Sequence, residues 1–439
     1  MRDLRYDVVV GGGGTAGVAA GIAAARLGAR TLIVERYGSL GGTQSNGWVT
    51  PMMPNYLTDF KLNRGVNLEI VAAQAALQPP AEGVPHGDVW YDPVALPGVL
   101  DEALRAAGSQ ALFDAVLIAA DVVDRRVGSI GVMTRGGRLD IEAECFVDAT
   151  GDAELCRLAG ADLMGGNEDG VHQPMTLRFM MGGLDLETLA ATWPWLFRFN
   201  QNGHLEAGYM EAQDGPLGPA IGDAIARGVL EPDDLGYFQV FTMNGRPGEL
   251  AFNCPRIAGL DPLDPFELSE AYRVGRAKIA RVGAFVRGWF PGCEEGYVSG
   301  IAPLIGIRES RRVVGEYVLT AEDHAGGAKF DDVIARNRYP VDIHLKTGVD
   351  FRPYAPGEWH DIPYRSLVVR GFDNLWVAGR CLSADFVAQS AVRIQPVCRS
   401  MGEAAGAAAA LCARTGQPAA ALPYGDLAAH LDLSLPPEP

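Results

Sequence analysis

The chain has 439 residues, of which 48% are hydrophobic and 21% are charged, and its formal net charge is −17 at pH 7. This length is enough for two domains with separate cores, and the composition is that of a folded globular protein. The negative charge disfavours a nucleic-acid partner, because phosphate groups would be repelled. Without a polybasic segment or an uncharged apolar run of membrane-spanning length, we expect no membrane association and a cytoplasmic location.

The most specific motif lies at the N-terminus. An apolar run at residues 6–10 leads into a glycine-rich turn, an alanine-rich helical segment follows, and a second apolar run ends at Glu35. Gly12, Gly14 and Gly17 occupy the glycine positions of the G-x-G-x-x-G pattern. These glycines allow a tight turn, a close approach to a pyrophosphate and packing of helix on strand, and the acid binds a ribose hydroxyl. The segment therefore predicts a dinucleotide-binding βαβ unit.

The cysteines argue against several kinds of site. None of the seven forms a C-x-x-C pair, and their number is odd. A disulfide framework, a zinc site or an iron–sulfur cluster is therefore not expected. We expect most of these cysteines in the core as small hydrophobic residues.

The next segments predict loops, one helix and a β-meander. Residues 36–54 are rich in glycine and polar residues and predict a loop and a short helix beside the nucleotide. Asp92 and Pro93 are typical of the N-cap and first position of a helix, which should end at Gly108. Short apolar runs separated by turns predict a β-meander over residues 111–147.

A change in composition marks a second domain. Residues 166–361 carry most of the tryptophans, more prolines and long loops, and we interpret them as an α+β substrate domain inserted into the first. Within it, Asp264 predicts the start of a long helix that reaches Phe290. The first domain is then discontinuous and comprises residues 1–165 and 362–439.

The C-terminal segment is expected to complete the first domain. Its apolar pattern predicts a final helix from about Pro396 to Arg414, which Gly416 would end. Gly402 and Gly406 on this helix would let it pack very close to a partner element.

Further motifs carry a resemblance to a known family, and they span nearly the full chain. They are Val-Asp-Ala-Thr-Gly-Asp at 147–152, Gln-Pro-Met-Thr at 173–176, Gly-Ile-Arg-Glu-Ser-Arg-Arg at 306–312, Tyr-Pro-Val-Asp-Ile-His at 339–344, Ala-Gly-Arg at 378–380 and Gln-Pro at 395–396. This set resembles the FAD-dependent oxidoreductases of the glutathione-reductase-like superfamily, and more narrowly the bacterial FAD-dependent dehydrogenase group. The resemblance implies an α/β fold with a Rossmann-like FAD-binding domain, built from a parallel sheet and a β-meander.

The resemblance also implies a set of FAD contacts. The residues expected to hold the pyrophosphate are Gly12, Gly14, Thr15, Ala16 and Gly17. Glu35 would bind the adenosine ribose, Arg36 would lie beside the adenine, and Val116 would offer a main-chain contact to it. The remaining implied contacts are Gly42 and Thr43 along the diphosphate and flavin, Thr150, Gly151 and Asp152 over the ADP portion, Gly379 and Arg380 at the phosphate or ribityl chain, and Gln395 and Pro396 at the flavin N1–O2 edge.

The candidates for the chemistry come from the inserted domain. Arg308 is the preferred member of an arginine cluster that would clamp a substrate carboxylate or the flavin, and the alternative is a helix-face salt-bridge set with nearby glutamates. His344 and His172 are candidates for the base that handles the substrate proton, and the alternative for each is a structural loop histidine. Asn253 and Arg256 either face the substrate or belong to the scaffold.

The expected function is hydride transfer between a small polar organic substrate and flavin N5. The alternatives are a FAD-dependent reductase of a carbon–carbon double bond, a non-catalytic flavin-binding module and an NAD-dependent dehydrogenase. The expected partners are the small-molecule substrate and an electron acceptor whose identity stays open, together with further copies of the chain if it forms a homo-oligomer. No metal site is expected.

Overall fold

The computed structural model describes residues 3–57, 59–77, 90–199, 205–209, 212–346 and 348–435. Its helices are α1 (Thr15–Arg26), α2 (Val66–Leu77), α3 (Leu96–Ala107), α4 (Glu154–Ala159), α5 (Leu186–Thr192), α6 (Gly218–Ala226), α7 (Pro265–Trp289), α8 (Ala321–Ala325), α9 (Phe386–Val392), α10 (Gln395–Thr415) and α11 (Tyr424–Ala428). Short 3-10 helices lie at Tyr364–Ser366 and Ala419–Ala421.

The strands of the described residues begin with β1 (Arg5–Gly11), β2 (Thr31–Val34), β3 (Tyr56–Leu57), β4 (Phe60–Lys61), β5 (Gln110–Leu112), β6 (Val116–Val123), β7 (Arg126–Thr134) and β8 (Gly137–Asp148). The remaining strands are β9 (Leu163–Gly165), β10 (Met175–Thr176), β11 (Phe179–Gly182), β12 (Arg198–Phe199), β13 (Leu205–Tyr209), β14 (Phe238–Phe241), β15 (Leu250–Phe252), β16 (Arg256–Ile257), β17 (Tyr297–Ile301), β18 (Arg311–Val313), β19 (Val333–Asn337), β20 (Val341–His344), β21 (Val349–Arg352), β22 (His360–Pro363) and β23 (Leu375–Val377).

The larger sheet is built around β1, the apolar strand before the glycine turn. Its strand order is β5-β2-β1-β8-β7-β6, and β23 also pairs with β8. Parallel pairing places Val9 opposite Leu32 of β2 and Phe146 of β8, and the β2–β5 and β8–β23 pairs are parallel as well. Continuous apolar runs are typical of parallel strands covered on both faces. The predicted α/β fold with a parallel sheet is confirmed.

Strand β8 joins the parallel sheet to the β-meander. Near its start Arg138 lies opposite Met133 of the antiparallel strand β7, and near its end Val147 lies opposite Val10 of the parallel strand β1. Strands β6 and β7 complete the meander, as the sequence predicts. The end of β8 therefore reaches the carboxyl edge of the parallel strands, which is where open α/β sheets bind ligands.

Helices α1 and α10 pack backbone to backbone. A Cβ atom at Gly402 would lie 2.0 Å from the carbonyl oxygen of Ala16, and one at Gly406 would lie 2.1 Å from that of Ala20. Since real Cβ atoms do not approach this closely, only glycine fits at either position. The predicted close approach of the final helix is confirmed, and its partner is the helix that follows the glycine turn.

A second sheet lies between residues 179 and 301. Its order is β12-β13-β14-β15-β11-β17, and its pairs are antiparallel. Its core includes the stacked rings of Phe179 and Phe252, with centroids 4.4 Å apart, and Phe285 of α7 belongs to the same core. The carboxylate of Asp264 caps α7 by accepting from the N–H groups of Phe266 and Glu267, so the predicted long helix is confirmed.

Two local predictions are wrong. Helix α3 begins at Leu96 rather than at Asp92, whose carboxylate instead accepts a 2.8 Å bond from the N–H of Val94 in a preceding turn. The end of α3 is as predicted, with Gly108 in the left-handed conformation at φ 85°. Residues 36–54 form turns, bends and irregular segments without the expected short helix.

The core of the larger sheet contains residues from distant parts of the sequence. Leu319, Ile334 and Ala335 pack with residues of α1 and α10 in one cluster. They lie within residues 166–361, so part of the segment that the sequence assigns to an inserted domain packs on the core of the larger sheet.

The described residues show neither a metal cluster nor a disulfide. All seven cysteines are free and buried, as expected of small core residues. No group of three or more His, Cys, Asp or Glu side chains in the described ranges could hold a metal ion. Among the helices of those ranges, none has the length and apolar character needed to cross a membrane.

Candidate functional site

The turn between β1 and α1 has no room for a side chain at two of the three motif glycines, Gly12 and Gly17. Gly12 has a positive φ of 91°, and a Cβ atom there would lie 2.7 Å from the carbonyl oxygen of Ala149. A Cβ atom at Gly17 would lie 1.9 Å from the carbonyl oxygen of Gly12. The turn therefore packs tightly against the end of β8. The first turn of α1 adds N–H groups without helical acceptors, which favour an anion.

A second glycine segment packs against this turn. The N–H of Gly41 donates to the carbonyl oxygen of Gly13 at 2.8 Å. Gly42 has a φ of 55°, and a Cβ atom there would lie 2.9 Å from the Cα atom of Gly14. Two stretches of backbone without side chains thus meet at one place, which is the surface a diphosphate requires.

Glu35 is a buried carboxylate at the end of β2. Its Oε2 accepts from the N–H of Gly13 at 2.6 Å, and its Oε1 accepts from the N–H of Tyr37 at 2.8 Å. Burial outweighs these hydrogen bonds and raises the pKa of Glu35. The carboxylate is therefore fixed beside the glycine turn, and each oxygen keeps one lone pair for a further donor such as a ribose hydroxyl.

Asp152 links two arginines. Its Oδ1 accepts from Arg380 Nη2 at 2.5 Å and from Ser310 Oγ at 2.7 Å, while its Oδ2 lies 3.5 Å from Arg36 Nη2. Burial opposes ionisation of this carboxylate, but Arg380 and Arg36 outweigh it and lower its pKa. Asp152 therefore holds both cations in place beside the nucleotide motif.

The N-terminus of α10 approaches the same region. The side chain of Gln395 is fixed by the N–H of Met53, which donates to Oε1 at 3.1 Å, and by the carbonyl of Pro51, which accepts from Nε2 at 2.9 Å. Proline has no N–H, so Pro396 cannot donate to a ligand as predicted. The N–H groups left at this helix end are those of Gln395 and Val397, because Cys398 already donates to Ile394.

One cavity of about 620 Å³ connects these elements. All of the predicted FAD contacts line it except Gly17 and Pro396. Gly17 instead packs under the turn, and Pro396 is buried within α10. The cavity thus brings together residues 12–16, 35–43, 149–152 and 378–395, as the resemblance implies, although their contacts with FAD stay a prediction.

The far end of the cavity is lined by buried and half-buried polar side chains, and we call it the polar chamber. Its members are Thr176, Arg178, Tyr237, Gln239, Asn253, Arg308, Tyr339, Asp342, His344 and Arg393. Gln239 lies on β14, Thr176 lies on β10, and Asp342 and His344 lie on β20, whereas the other members lie in the segments that connect strands and helices.

His344 lines the chamber, but both of its ring nitrogens are occupied. Arg256 Nη2 lies 2.6 Å from Nδ1, and Nε2 lies 3.2 Å from Asp342 Oδ1. A guanidinium can only donate, so Nδ1 accepts and the ring proton sits on Nε2. Burial, reinforced by Arg308, lowers the pKa of His344 to about 3. The structure therefore argues against His344 as a general base and in favour of a neutral ring that positions its neighbours.

Asp342 is the acidic member of the chamber. Its carboxylate lies 3.2 Å from Arg393 Nη2 as well as from His344 Nε2. Burial disfavours its charge, but the hydrogen bond from His344 and the charges of Arg393 and Arg308 dominate and lower its pKa. Asp342 is therefore ionised and already engaged.

His172 does not reach the cavity. It is not among the described residues that line it, and its Nδ1 lies 2.7 Å from Glu309 Oε2. Its Nε2 lies 3.6 Å from Asp261 Oδ1. The structure does not bring His172 to Arg308 or His344, so we do not retain it as a catalytic candidate.

The predicted arginine cluster separates into different roles. Arg308 lines the chamber, whereas Arg312 binds Glu309 and the carbonyl oxygens of Ala384 and Gly166. Residues 311–313 form β18 rather than a helix, so the helix-face alternative is wrong. Asn253 lines the chamber. Arg256 does not line it but contacts His344, which does.

Sequence reasoning missed Arg178, Tyr237 and Arg393. A signal for Arg178 exists in the alternation of residues 175–179, in which Met175, Leu177 and Phe179 belong to the core of the second sheet. The intervening Thr176 and Arg178 line the chamber instead. Alternation of this kind is typical of a strand with one buried face.

The fold and the cavity define a dinucleotide-binding α/β protein with a polar chamber beside its nucleotide motif. The family model described as FAD dependent oxidoreductase matches residues 7–431. The chain therefore belongs to the FAD dependent oxidoreductase family, and it is an enzyme whose cofactor is FAD.

Comparisons with individual proteins add little to this assignment. No curated protein matches the chain. Solved structures with a similar fold include a flavin-dependent brominase, with 11% identity, a TM-score of 0.48 and coverage of 97% of this chain and 82% of that one. A p-nitrophenol 4-monooxygenase from Pseudomonas putida DLL-E4 has 11% identity, a TM-score of 0.46 and coverage of 98% and 84%. A geranylgeranyl bacteriochlorophyll reductase-like protein from Thermoplasma acidophilum has 12% identity, a TM-score of 0.45 and coverage of 97% and 82%.

The residues present fit FAD. The glycine turn and Gly42 form a cradle that a Cβ atom would fill, Glu35 offers acceptors for a ribose, and the N-terminus of α10 faces the cavity. The cavity volume of about 620 Å³ is also in the range of cofactor sites. Charged side chains of both signs line both ends of the cavity: Asp152 with Arg36 and Arg380 near the nucleotide motif, and Asp342 with Arg178, Arg308 and Arg393 in the chamber.

Proposed function

We propose that the protein is a FAD-dependent dehydrogenase of a small polar organic substrate, which binds in the polar chamber. One observation carries the proposal: a single cavity joins the dinucleotide cradle to a chamber lined by buried and half-buried polar side chains. A site that holds cofactor and substrate together needs this continuity, because hydride transfer requires contact between the reacting atoms.

We also propose membership in the glutathione-reductase-like superfamily. The order β5-β2-β1-β8, with a meander that returns through β8 and a parallel strand β23 from the C-terminal segment, supports it. The motifs at residues 147–152 and 378–380 meet at this edge of the sheet, where Ala378 N donates to the carbonyl oxygen of Asp148 at 2.9 Å.

The chain's own residues supply binding and orientation. When bound, FAD supplies the two-electron acceptor for substrate oxidation. Asp152 holds Arg36 and Arg380 at the nucleotide end, and the N-terminus of α10 would offer N–H groups and a positive dipole end to the flavin. Neutral His344 and ionised Asp342 fix Arg256 and Arg393 around the chamber.

The proposal is tested by purification and anaerobic reduction. The protein is expected to carry FAD, or to bind it after reconstitution, with the visible absorbance band of flavin. Anaerobic mixing with a panel of hydroxy acids, alcohols and amines should bleach that band. Protein that binds no FAD would overturn the assignment.

The same experiment separates the alternatives. Bleaching by dithionite followed by recovery with an unsaturated acid, and no bleaching by any reduced metabolite, would instead identify a double-bond reductase. Retained FAD that neither the reduced nor the unsaturated panel turns over would identify a non-catalytic flavin-binding module. The electron acceptor is then found by adding oxygen, a quinone or NAD(P) to the reduced protein.

A further inference from the structure

Two buried arginines of the polar chamber each form hydrogen bonds to the described residues through only one of their three guanidinium nitrogens. Arg178 and Arg308 are each 8% exposed. Nη1 of Arg178 donates to the carbonyl oxygen of Trp48 at 3.3 Å, and Nη1 of Arg308 donates to the carbonyl oxygen of Pro174 at 2.5 Å. Within the described residues, the Nε and Nη2 atoms of both side chains make no hydrogen bond, and none of these atoms belongs to the fully enclosed unpartnered set. Since both residues line the cavity, these donor edges face it.

Neither arginine has an acidic partner. Among the ion pairs of the described residues, none within 4.0 Å involves Arg178 or Arg308. Buried Arg312, in contrast, pairs with Glu309, and buried Arg399 donates to the amide oxygens of Asn67 and Gln44. Buried guanidinium groups are normally satisfied in one of these ways.

The surrounding charges do not neutralise Arg178 and Arg308. Arg256 and Arg393 add positive charge to the same region, and the acid that lines the chamber, Asp342, is already shared by Arg393 and His344. Burial lowers the pKa of Arg178 to about 10. Burial, together with Arg256 and Arg393, holds the pKa of Arg308 well below its ordinary value. The chamber therefore carries an excess of buried positive charge, which an anion would neutralise.

We infer that the substrate carries a carboxylate, which binds to the free Nε–Nη2 edges of Arg178 and Arg308. Each edge presents two parallel N–H groups at the spacing of two carboxylate oxygens. The inference rests on the proposed function, because it places the carboxylate in the chamber of the same cavity that holds FAD. It narrows the substrate from a small polar molecule to an organic acid.

The test compares charged and neutral probes of the same shape. Holoenzyme with FAD is titrated with benzoate and benzamide, and separately with acetate and acetamide, while the flavin spectrum is followed. The carboxylates should bind at least about tenfold more tightly than their amides. Inorganic phosphate serves as a third arm, and it should bind more weakly than the better carboxylate.

Variants locate the binding site. Arg178→Gln and Arg308→Gln should each weaken carboxylate binding at least about tenfold with FAD retained, and Arg308→Lys should recover part of the loss. Arg273→Gln is the control, because this exposed arginine of α7 pairs with Glu270 away from the cavity. The amide Kd values should change less than the carboxylate Kd values in Arg178→Gln and Arg308→Gln, and neither set should change in Arg273→Gln.

The outcomes separate this inference from the proposed function. Failure to bind FAD overturns the proposed function. If FAD binds but the carboxylates bind no better than the amides, or bind no better than phosphate, the inference is wrong. Full carboxylate affinity in both glutamine variants also overturns it. If those variants do not fold, two measurements still test the inference. These are the ratio of carboxylate to amide affinity in the wild type and the carboxylate affinity of the Arg308→Lys variant.

Discussion

At the scale of single residues, the site depends on carboxylates that are fixed before any ligand binds. Glu35 accepts two main-chain hydrogen bonds, and Asp152 holds Arg36 and Arg380. Such preorganised groups do not have to be ordered when the ligand arrives, so their geometry contributes to affinity. Replacing one of these carboxylates should therefore weaken cofactor binding more than replacing an exposed acid does.

Glu35→Gln should weaken FAD binding at least about tenfold. Glutamine keeps one acceptor oxygen and presents an amide NH₂ in place of the other, so either the N–H of Gly13 or that of Tyr37 loses its acceptor. The Kd is measured by titrating apoprotein with FAD and following flavin fluorescence. Glu142→Gln, an exposed acid on β8, should leave the Kd unchanged. Equal FAD affinity in the wild type and in Glu35→Gln would show that the Glu35 carboxylate does not contribute to FAD binding.

Glu403 should make folding stability depend on pH. Burial, reinforced by Glu69, raises the pKa of Glu403 from 4.5 to about 7. Between these values the native state keeps a proton that the unfolded state releases, so the contribution of Glu403 to stability falls as the pH rises through this window. Glutamine has no such dependence and can still accept from the N–H of Val66, as Oε2 does at 3.2 Å.

The measurement is a difference between two unfolding curves. Near pH 4.5 the free energy of unfolding of Glu403→Gln should match that of wild type, because native Glu403 is protonated. Near pH 8 the variant should be more stable by about 2 kcal/mol, after allowance for partial solvent screening. Subtraction removes the opposite contribution of buried histidines such as His324, whose pKa burial lowers to about 4. A difference that does not change with pH would contradict the assignment.

At the scale of elements, the contact between α1 and α10 couples the two ends of the chain. Gly402 and Gly406 let α10 lie on the backbone of Ala16 and Ala20, just after the glycine turn. Because protein interiors are close-packed, a displacement of α10 would also displace α1. The nucleotide cradle therefore depends on a helix almost 400 residues away in sequence.

Gly406→Ala should destabilise the protein by about 2 kcal/mol. A Cβ atom at 406 would lie 2.1 Å from the carbonyl oxygen of Ala20, which is backbone and cannot move aside cheaply. The matched control is Gly222→Ala in α6, where a Cβ atom meets nothing within 4 Å. This control should stabilise by about 0.5–1 kcal/mol, as glycine in a helix interior normally costs. Chemical denaturation of the two variants gives the comparison, and equal effects would contradict the packing argument.

The same elements show how far sequence patterns reach. The glycine turn, the meander and the extent of α10 are predictable, because each follows from local periodicity and from residues with special backbone preferences. The start of α3 is not predictable in this way, because Asp92 and Pro93 favour a turn as well as a helix N-terminus. Arg178 and Arg308 lie 130 residues apart in sequence. Their meeting in one chamber depends on the pairing of distant strands, which no local pattern encodes.

At the scale of the whole molecule, the cavity is a junction between the two sheets. The glycine turn and β23 belong to the larger sheet, whereas Thr176 and Arg178 lie beside strands of the second. Long-range hydrogen bonds link segments that line the cavity, such as the one from the N–H of Thr176 to the carbonyl oxygen of Gly306 at 3.0 Å. A ligand that fills the cavity therefore bridges both sheets and should stabilise them together.

FAD binding should slow hydrogen exchange in both sheets at once. The apoprotein and the FAD-saturated protein are compared by exchange and mass spectrometry, and peptides from residues 11–18, 175–182 and 304–310 should gain protection together. At FAD concentrations of about 100 times the Kd, linkage predicts about 2.7 kcal/mol of added stability. ADP, which lacks the flavin, should protect the first peptide and leave the other two unchanged, because they lie at the far end of the cavity. Protection by FAD that stops at residues 11–18 would show that the cofactor does not reach the polar chamber, and the chamber could not then hold a substrate of the flavin.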